Sequence, residues 1–311
     1  MKPDQAKGYI LESVVLDLLK EAGYVQVKTG HIRGRGAEHQ IDAYGVLSIP
    51  SAFIYPIRLL SEAKFYNRTI GLGIIRNFVG VIKDISENYI VTTSHKRSSF
   101  RYTDSGCIFS ATPFVESAQE YAWAHNIFLI SFSEIELMKP VLMSIGQFVQ
   151  NPDIITLLND TNPDKQKRLI RAYKKFQKNY PIYDKPTLVV GILDEVYPII
   201  LVGKRGWIQK IEPPTDHDQL DAVKDYRQDF PESDWIEQVR PNQKPLEHIF
   251  HITIQNQKVM FNLPHFAATK ILDRIKKDKK VVAQLQIPFK KQIGNNLVRR
   301  IISLNVKLPI Q

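Results

Sequence analysis

Three charged residues in two short segments have the types and the spacing to perform metal-dependent chemistry. Asp42 lies in one apolar segment that reads as a strand, and Glu62 and Lys64 lie in the next. Side chains two positions apart in a strand point to the same face, so Glu62 and Lys64 are expected side by side. If the two strands are antiparallel neighbours, Asp42 also lies beside Glu62. Two adjacent carboxylates call for a cation, and Mg²⁺ binds one or two carboxylates while keeping several waters.

The same triple of residues has a plainer explanation. An aspartate, a glutamate and a lysine on adjacent strands often form a cross-strand ion pair on a solvated sheet face. Here the flanking residues are apolar and the surrounding pattern predicts a sheet covered on both faces. Charge on a covered strand is costly, which favours a functional role. The lysine would then position a nucleophilic water or neutralise charge in the transition state.

Glu12 is a candidate fourth member of this site. Apolar residues recur at helical spacing over residues 5–22, which predicts an amphipathic helix with Asp4 as its N-cap. Glu12 falls at the edge of the apolar stripe and not at the centre of the polar face. From that position its side chain can lean over a sheet and reach the carboxylate pair.

The first 135 residues alternate between helical and strand patterns. The pattern predicts helices at 5–22, 72–85 and 114–125, and strands at 24–28, 40–44, 57–65, 89–93 and 127–131. This order indicates an α/β fold with three layers and a central mixed sheet.

Three segments resemble the restriction-endonuclease-like, or PD-(D/E)XK, nucleases. Residues 33–45 read RGRGAEHQIDAYG, residues 61–64 read SEAK, and residues 114–130 end in AQEYAWAHNIFLI. Together they are most similar to the Mrr-type catalytic domain of restriction endonucleases, over about residues 1–135. Ile41 stands where the wider superfamily often has proline.

The resemblance implies a metal-dependent nuclease. Asp42 and Glu62 would hold Mg²⁺, with Mn²⁺ as a possible substitute, Lys64 would assist the attacking water, and Glu12 would support the site. DNA would be the partner and restriction of foreign DNA the role. Two alternatives stay open: a DNA-binding or assembly module without turnover on the same fold, and a nuclease that acts on RNA or branched DNA.

Several polar residues near the proposed site are candidates for contact with DNA. A glycine-rich turn precedes Asp42, and glycine permits close approach of the backbone to a ligand while arginine pairs well with phosphate. Exposed, solubilising charge is the alternative for each of them. The candidates are His31, Arg33, Arg35, Gln40, Asn67 and Arg68.

Charge is unevenly distributed along the 311 residues, whose formal net charge is +10. The first 150 residues hold 15 Lys and Arg against 14 Asp and Glu, and the remainder hold 27 against 18. A basic half suggests an anionic partner, with nucleic acid first and a membrane surface second; charge for solubility is the alternative.

The second half of the chain divides into two further regions. Residues 136–184 read as a helical, basic connector, and residues 185–311 as a smaller α+β domain for DNA binding, partner recognition or homo-oligomerisation. The single cysteine, Cys107, excludes an internal disulfide or a cysteine-based zinc site. No segment reads as a signal peptide or a membrane span, so a cytoplasmic location is expected.

Overall fold

Contacts divide the chain into two units, Met1–Tyr183 and Asp184–Gln311. The computed structural model describes residues 1–47, 54–89, 101–178, 186–210, 226–238, 247–254, 256–277, 282–293 and 296–307.

A five-stranded mixed sheet forms the centre of the first unit. The strands lie in the order β1-β2-β3-β4-β5, with antiparallel pairing from β1 to β3 and parallel pairing from β3 to β5. The predicted α/β class with a central mixed sheet is therefore confirmed. The elements are α1 (Pro3–Glu21), β1 (Val25–Arg33), β2 (Glu38–Leu47), β3 (Ile57–Lys64), α2 (Leu72–Ser86), β4 (Thr103–Ser110), α3 (Glu116–Ala124), β5 (Ile127–Ser131), α4 (Lys139–Val149), α5 (Pro152–Asn159) and α6 (Lys165–Lys178).

Helices cover the sheet in two separate groups. Helices α2 and α3 pack together on β4 and β5 through one apolar cluster, which includes Phe78, Ile108 and Phe114. Helix α1 packs against β1, β2 and β3 and is itself packed by α4 and α6. None of the buried residues of α1 belongs to the first cluster. Apolar side chains of two helical layers thus hold the strands that carry Asp42, Glu62 and Lys64.

Two local predictions were wrong or incomplete. Helix α1 begins at Pro3 with Lys2 as its N-cap, and Asp4 lies in the first turn, where it pairs with Lys7 at 3.0 Å. Proline is preferred at the first helical position because its missing N–H would be unpaired there anyway. Of the strand predicted at 89–93, Tyr89 ends a short 3₁₀ turn and the rest lies outside the described residues. The fourth strand of the sheet is β4.

The second unit is a closed barrel of seven strands in the order β10-β7-β6-β11-β12-β8-β9. The sequence predicts an α+β domain here but not the closure. Its core includes the stacked rings of Phe250 and Phe261, 5.0 Å apart, and Trp207, whose Nε1 donates to the Thr187 carbonyl at 3.1 Å. The elements are β6 (Pro186–Leu193), β7 (Tyr197–Lys204), α7 (Trp207–Lys210), β8 (Tyr226–Gln238), β9 (Glu247–Ile254), β10 (Gln257–Pro264), α8 (His265–Lys277), β11 (Val282–Ile293) and β12 (Asn296–Lys307).

Among the described residues, the helices are all too short or too polar to cross a membrane. Cys107 is buried in β4 as a free thiol, and burial raises its pKa.

Candidate active site

The site lies where β2 and β3 separate. The two strands pair antiparallel, which is the arrangement that places Asp42 beside Glu62, and the pairing ends at Ala43 opposite Ser61. Asp42 and Glu62 are the next residues on the two strands. The Asp42 Oδ2 accepts a hydrogen bond from the Ala63 N–H at 2.9 Å. Because Ala63 lies between Glu62 and Lys64, this bond holds the Asp42 carboxylate against the backbone of the Glu-Ala-Lys segment.

Glu62 and Lys64 form an ion pair at the end of β3. The Lys64 Nζ donates to the Glu62 Oε1, as their expected common face predicts. The two side chains are only 22% and 23% exposed. Burial disfavours the ammonium, but the nearby Glu62 and Asp42 carboxylates outweigh burial and raise the pKa of Lys64. Lys64 therefore stands at neutral pH as a hydrogen-bond-donating cation.

Glu12 brings a third carboxylate to the site from α1. Burial, followed by repulsion from Asp42, raises the pKa of Glu12 from 4.5 to about 7; Lys64 opposes this rise and Glu62 adds to it. Burial also raises the pKa of Asp42, with a further rise from Glu62, while the Ala63 N–H opposes it. Glu12 thus lies within electrostatic reach of all three other residues, as the helical wheel predicts.

An extra residue in β2 lies at the site itself. Lys28 pairs with Tyr44 and Gly30 with Ile41. Between these two pairs β1 has one residue, Thr29, and β2 has two. The extra residue is therefore at Asp42–Ala43. Bulges of this kind re-aim side chains and are frequent beside active sites. The sequence pattern of β2 gives no sign of this bulge.

The donor set of the site fits a hard divalent cation. Asp42 and Glu62 offer carboxylate oxygens only, which suit Mg²⁺ better than the nitrogen and sulfur ligands typical of zinc sites. Within the part of the chain that the structure describes, no three His, Cys, Asp or Glu side chains are grouped as a metal cage. A cation at Asp42 and Glu62 would therefore leave most of its coordination positions to water and substrate oxygens.

The glycine-rich turn between β1 and β2 is fastened to the end of α2. The Asp84 carboxylate accepts hydrogen bonds from the N–H groups of Gly36 at 2.8 Å and Ala37 at 3.2 Å, and contacts the His39 Nε2 at 2.7 Å. A Cβ on Gly34 would lie 2.0 Å from the Asp84 Oδ2. A side chain at position 34 would therefore displace the Asp84 carboxylate from these contacts. His39 and the two N–H groups lower the pKa of Asp84.

Sequence reasoning missed Asp84. Its contacts are 45 to 48 residues away along the chain, and nothing in the local pattern of α2 marks it as a partner of the turn. Through its contact with Asp84, His39 helps to hold the turn beside the site.

The six candidate DNA contacts form two exposed groups that continue the strands of the site. On the β1–β2 hairpin, His31 pairs with Gln40 and Arg33 with Glu38. Arg35 lies in the turn, where its Nη1 is 3.4 Å from the Glu87 Oε2. Asn67 and Arg68 follow Lys64 after β3, and the Arg68 carbonyl accepts a hydrogen bond from the Thr112 Oγ1 at 2.7 Å. All six residues are exposed.

Residues 3–138 match the Mrr-type family model described as a restriction endonuclease. The match confirms the resemblance to restriction-endonuclease-like nucleases that the sequence predicts for about residues 1–135. No curated protein matches the chain significantly. A solved structure, titled the crystal structure of a protein of unknown function, AF1548, is 20% identical and has a TM-score of 0.32. That match covers 55% of this chain and 98% of the other, and at this TM-score it adds nothing to the assignment.

Proposed function

We propose that the protein is a Mg²⁺-dependent endonuclease that hydrolyses phosphodiester bonds in DNA. The observation that carries the proposal is the hydrogen bond from the Ala63 N–H to Asp42. This bond brings the aspartate of one strand to the Glu62–Lys64 pair of the next, and it does so within a domain of a nuclease family.

Each of the four residues has a distinct role in this proposal. Asp42 and Glu62 hold the cation, with Mn²⁺ as a possible substitute. When bound, the cation supplies the positive charge that polarises the scissile phosphate. Lys64 donates a hydrogen bond that positions the attacking water or offsets the negative charge that develops on phosphate oxygens. Glu12 supports the carboxylate pair from α1.

The proposed biological role is restriction of foreign DNA in the cytoplasm. The two exposed groups around the site, His31, Arg33, Arg35 and Gln40 on one side and Asn67 and Arg68 on the other, would contact the DNA backbone. The barrel unit would recognise DNA, a partner or a second copy of the chain.

The proposal is tested by replacing Asp42 with asparagine. The substituted side chain would keep the shape of aspartate and an acceptor for the Ala63 N–H, but it would lose the negative charge that holds the cation. We expect Asp42→Asn to abolish cleavage of plasmid DNA with either Mg²⁺ or Mn²⁺, while thermal unfolding changes little. Asp164→Asn, which removes an exposed aspartate from the same unit, is the matched control.

The choice of substrate is tested in the same assay. Labelled duplex, modified, single-stranded and branched DNA and RNA are incubated with the wild-type chain and Mg²⁺. Faster cleavage of RNA or branched DNA than of duplex DNA would identify that nucleic acid as the substrate in place of the duplex. Equal cleavage of every substrate by wild type and Asp42→Asn would contradict the proposed site, and no cleavage of any substrate by wild type would favour a binding module.

A further inference from the structure

Helix α6 carries cations along its whole length and no acidic residue. Five of its exposed cations recur at intervals of four, three, one and three residues: Lys167, Arg171, Lys174, Lys175 and Lys178. At 100° per residue these five positions fall within an arc of about 100° on one side of the helix. We call this row of side chains the basic stripe.

The opposite side of α6 is used to build the first unit. Leu169 and Tyr173 are buried, and the Phe148 ring of α4 lies 5.2 Å from Tyr173 and 5.3 Å from Phe176. Membrane-surface helices insert an apolar face between lipids. In α6 that face is packed inside the protein, so only the charged face is available to a partner.

The acidic residues around α6 leave much of the basic stripe uncompensated. Lys167 pairs with Asp164 at 3.2 Å, and both of these side chains are exposed, while the exposed Lys174 pairs with the partly buried Asp17 at 3.4 Å. A pair between exposed side chains, such as Lys167–Asp164, contributes little stability. Arg171, Lys175 and Lys178 form no ion pair with any residue that the structure describes.

The helix dipole does not account for all the cations of the basic stripe. Cations stabilise the negative end of a helix only within about its last turn. Lys175 and Lys178 lie in that turn, but Lys167 and Arg171 do not. The remaining positive charge therefore has no intramolecular explanation among the described residues.

We propose that the basic stripe anchors the phosphate backbone of a nucleic acid outside the candidate active site. From Lys167 to Lys178 the stripe is about 16 Å long, the rise of about five phosphates along one DNA strand. It lies beyond residues 3–138 and so is an addition to the family domain. Helix α6 packs on α1, which carries Glu12, and this contact fixes the stripe relative to the site. The proposal rests on the proposed function, because a nuclease supplies the reason to hold a polyanion.

The test measures binding of a fluorescent 30-base-pair duplex to the full chain without divalent metal, over a series of salt concentrations. The stripe variant combines Arg171→Gln, Lys175→Gln and Lys178→Gln. Each lost phosphate contact makes the slope of log K against log salt concentration shallower by about 0.9. The slope of the triple variant should therefore be shallower than that of wild type by about 2.7, and the variant should bind the duplex at least about tenfold more weakly near 0.1 M salt.

The control variant makes the same charge change elsewhere in the first unit. Arg76→Gln, Lys83→Gln and Lys28→Gln remove one exposed arginine and two exposed lysines from α2 and β1. This variant should keep a slope within about one unit of wild type, since its residues lie outside the stripe. Thermal unfolding shows whether both variants are folded. If the triple variant is not, the double variants that combine two of its three changes are measured instead, and each should lose about 1.8 from the slope.

The results separate this proposal from the proposed function. A stripe variant with the slope and affinity of wild type overturns the anchor, even if wild type cleaves DNA. Equal losses in the stripe and control variants also overturn it, because total charge would then explain binding. Tighter binding of the chain to anionic lipid vesicles than to the duplex would also overturn the proposed nucleic-acid anchor. A loss confined to the stripe variant supports the anchor, even if wild type cleaves nothing.

Discussion

Lys64 and the lysines of the basic stripe are the same side chain in two settings, one enclosed and one in solvent. Lys64 is 22% exposed, contacts Glu62 and lies within reach of two further carboxylates. Lys175 and Lys178 are exposed and form no ion pair among the described residues. An enclosed charge is costly without its partners, so its position is fixed. An exposed charge is cheap, screened by salt and additive with its neighbours. The first setting suits chemistry at one phosphate, and the second suits attachment to many.

The largest expected effect comes from replacing Lys64. Lys64→Met keeps the length of the side chain but removes the donor that serves the attacking water or the phosphate. We expect the single-turnover rate of DNA cleavage to fall by about 10²- to 10³-fold, the usual cost of removing one hydrogen-bond donor that stabilises developing negative charge. Lys83→Met, on exposed α2, is the control and should cleave like wild type. A rate within a few-fold of wild type for Lys64→Met would remove the lysine from the mechanism.

Ion pairs extend the same comparison to stability. The Arg58 Nε and Nη2 donate to the two carboxylate oxygens of Asp104 at 2.6 and 3.0 Å, and the side chains are 10% and 0% exposed. The Lys167 and Asp164 side chains are 75% and 64% exposed. We expect Asp104→Asn to lower the free energy of unfolding by about 3–5 kcal/mol, and Asp164→Asn to lower it by less than about 1 kcal/mol. Urea denaturation measures both, and equal losses would show that exposure does not separate the two pairs.

The last prediction is a dependence of stability on pH. The pKa of Glu12 rises from 4.5 to about 7 in the folded chain, so the folded state holds this proton more tightly than the unfolded state. The resulting stabilisation is full below pH 4.5 and is lost as the pH rises through 7. Glu12→Gln has no proton to lose. Without divalent metal, we therefore expect its stability relative to wild type to be greater at pH 8 than at pH 4.5, and thermal unfolding at the two pH values measures it. An unchanged difference would mean that Glu12 is not enclosed with the other carboxylates.

The core of the site was predictable because its signals are local. Apolar flanks and strand spacing identified β2 and β3, and helical periodicity placed Glu12 near them. Strand β4 was missed because Asp104, Ser105 and Gly106 break its apolar pattern. Their explanation lies elsewhere in the chain: Asp104 pairs with Arg58, and a Cβ on Gly106 would lie 2.3 Å from Ile82 and 2.5 Å from Ile127. Closure of the barrel and the Asp84 contacts likewise depend on residues distant in sequence, which local patterns do not record.

Closure of the barrel has a consequence for the order in which the chain folds during synthesis. All five strands of the first sheet have been made once Ser131 leaves the ribosome, and the last helix of that unit ends at Lys178. In the second unit, β6 pairs with β11, and β12 lies between β11 and β8. The ring therefore closes only after β12, which ends at Lys307, has been translated, and such distant pairings form slowly. The first unit is thus expected to emerge and fold on its own while the barrel is still being synthesised.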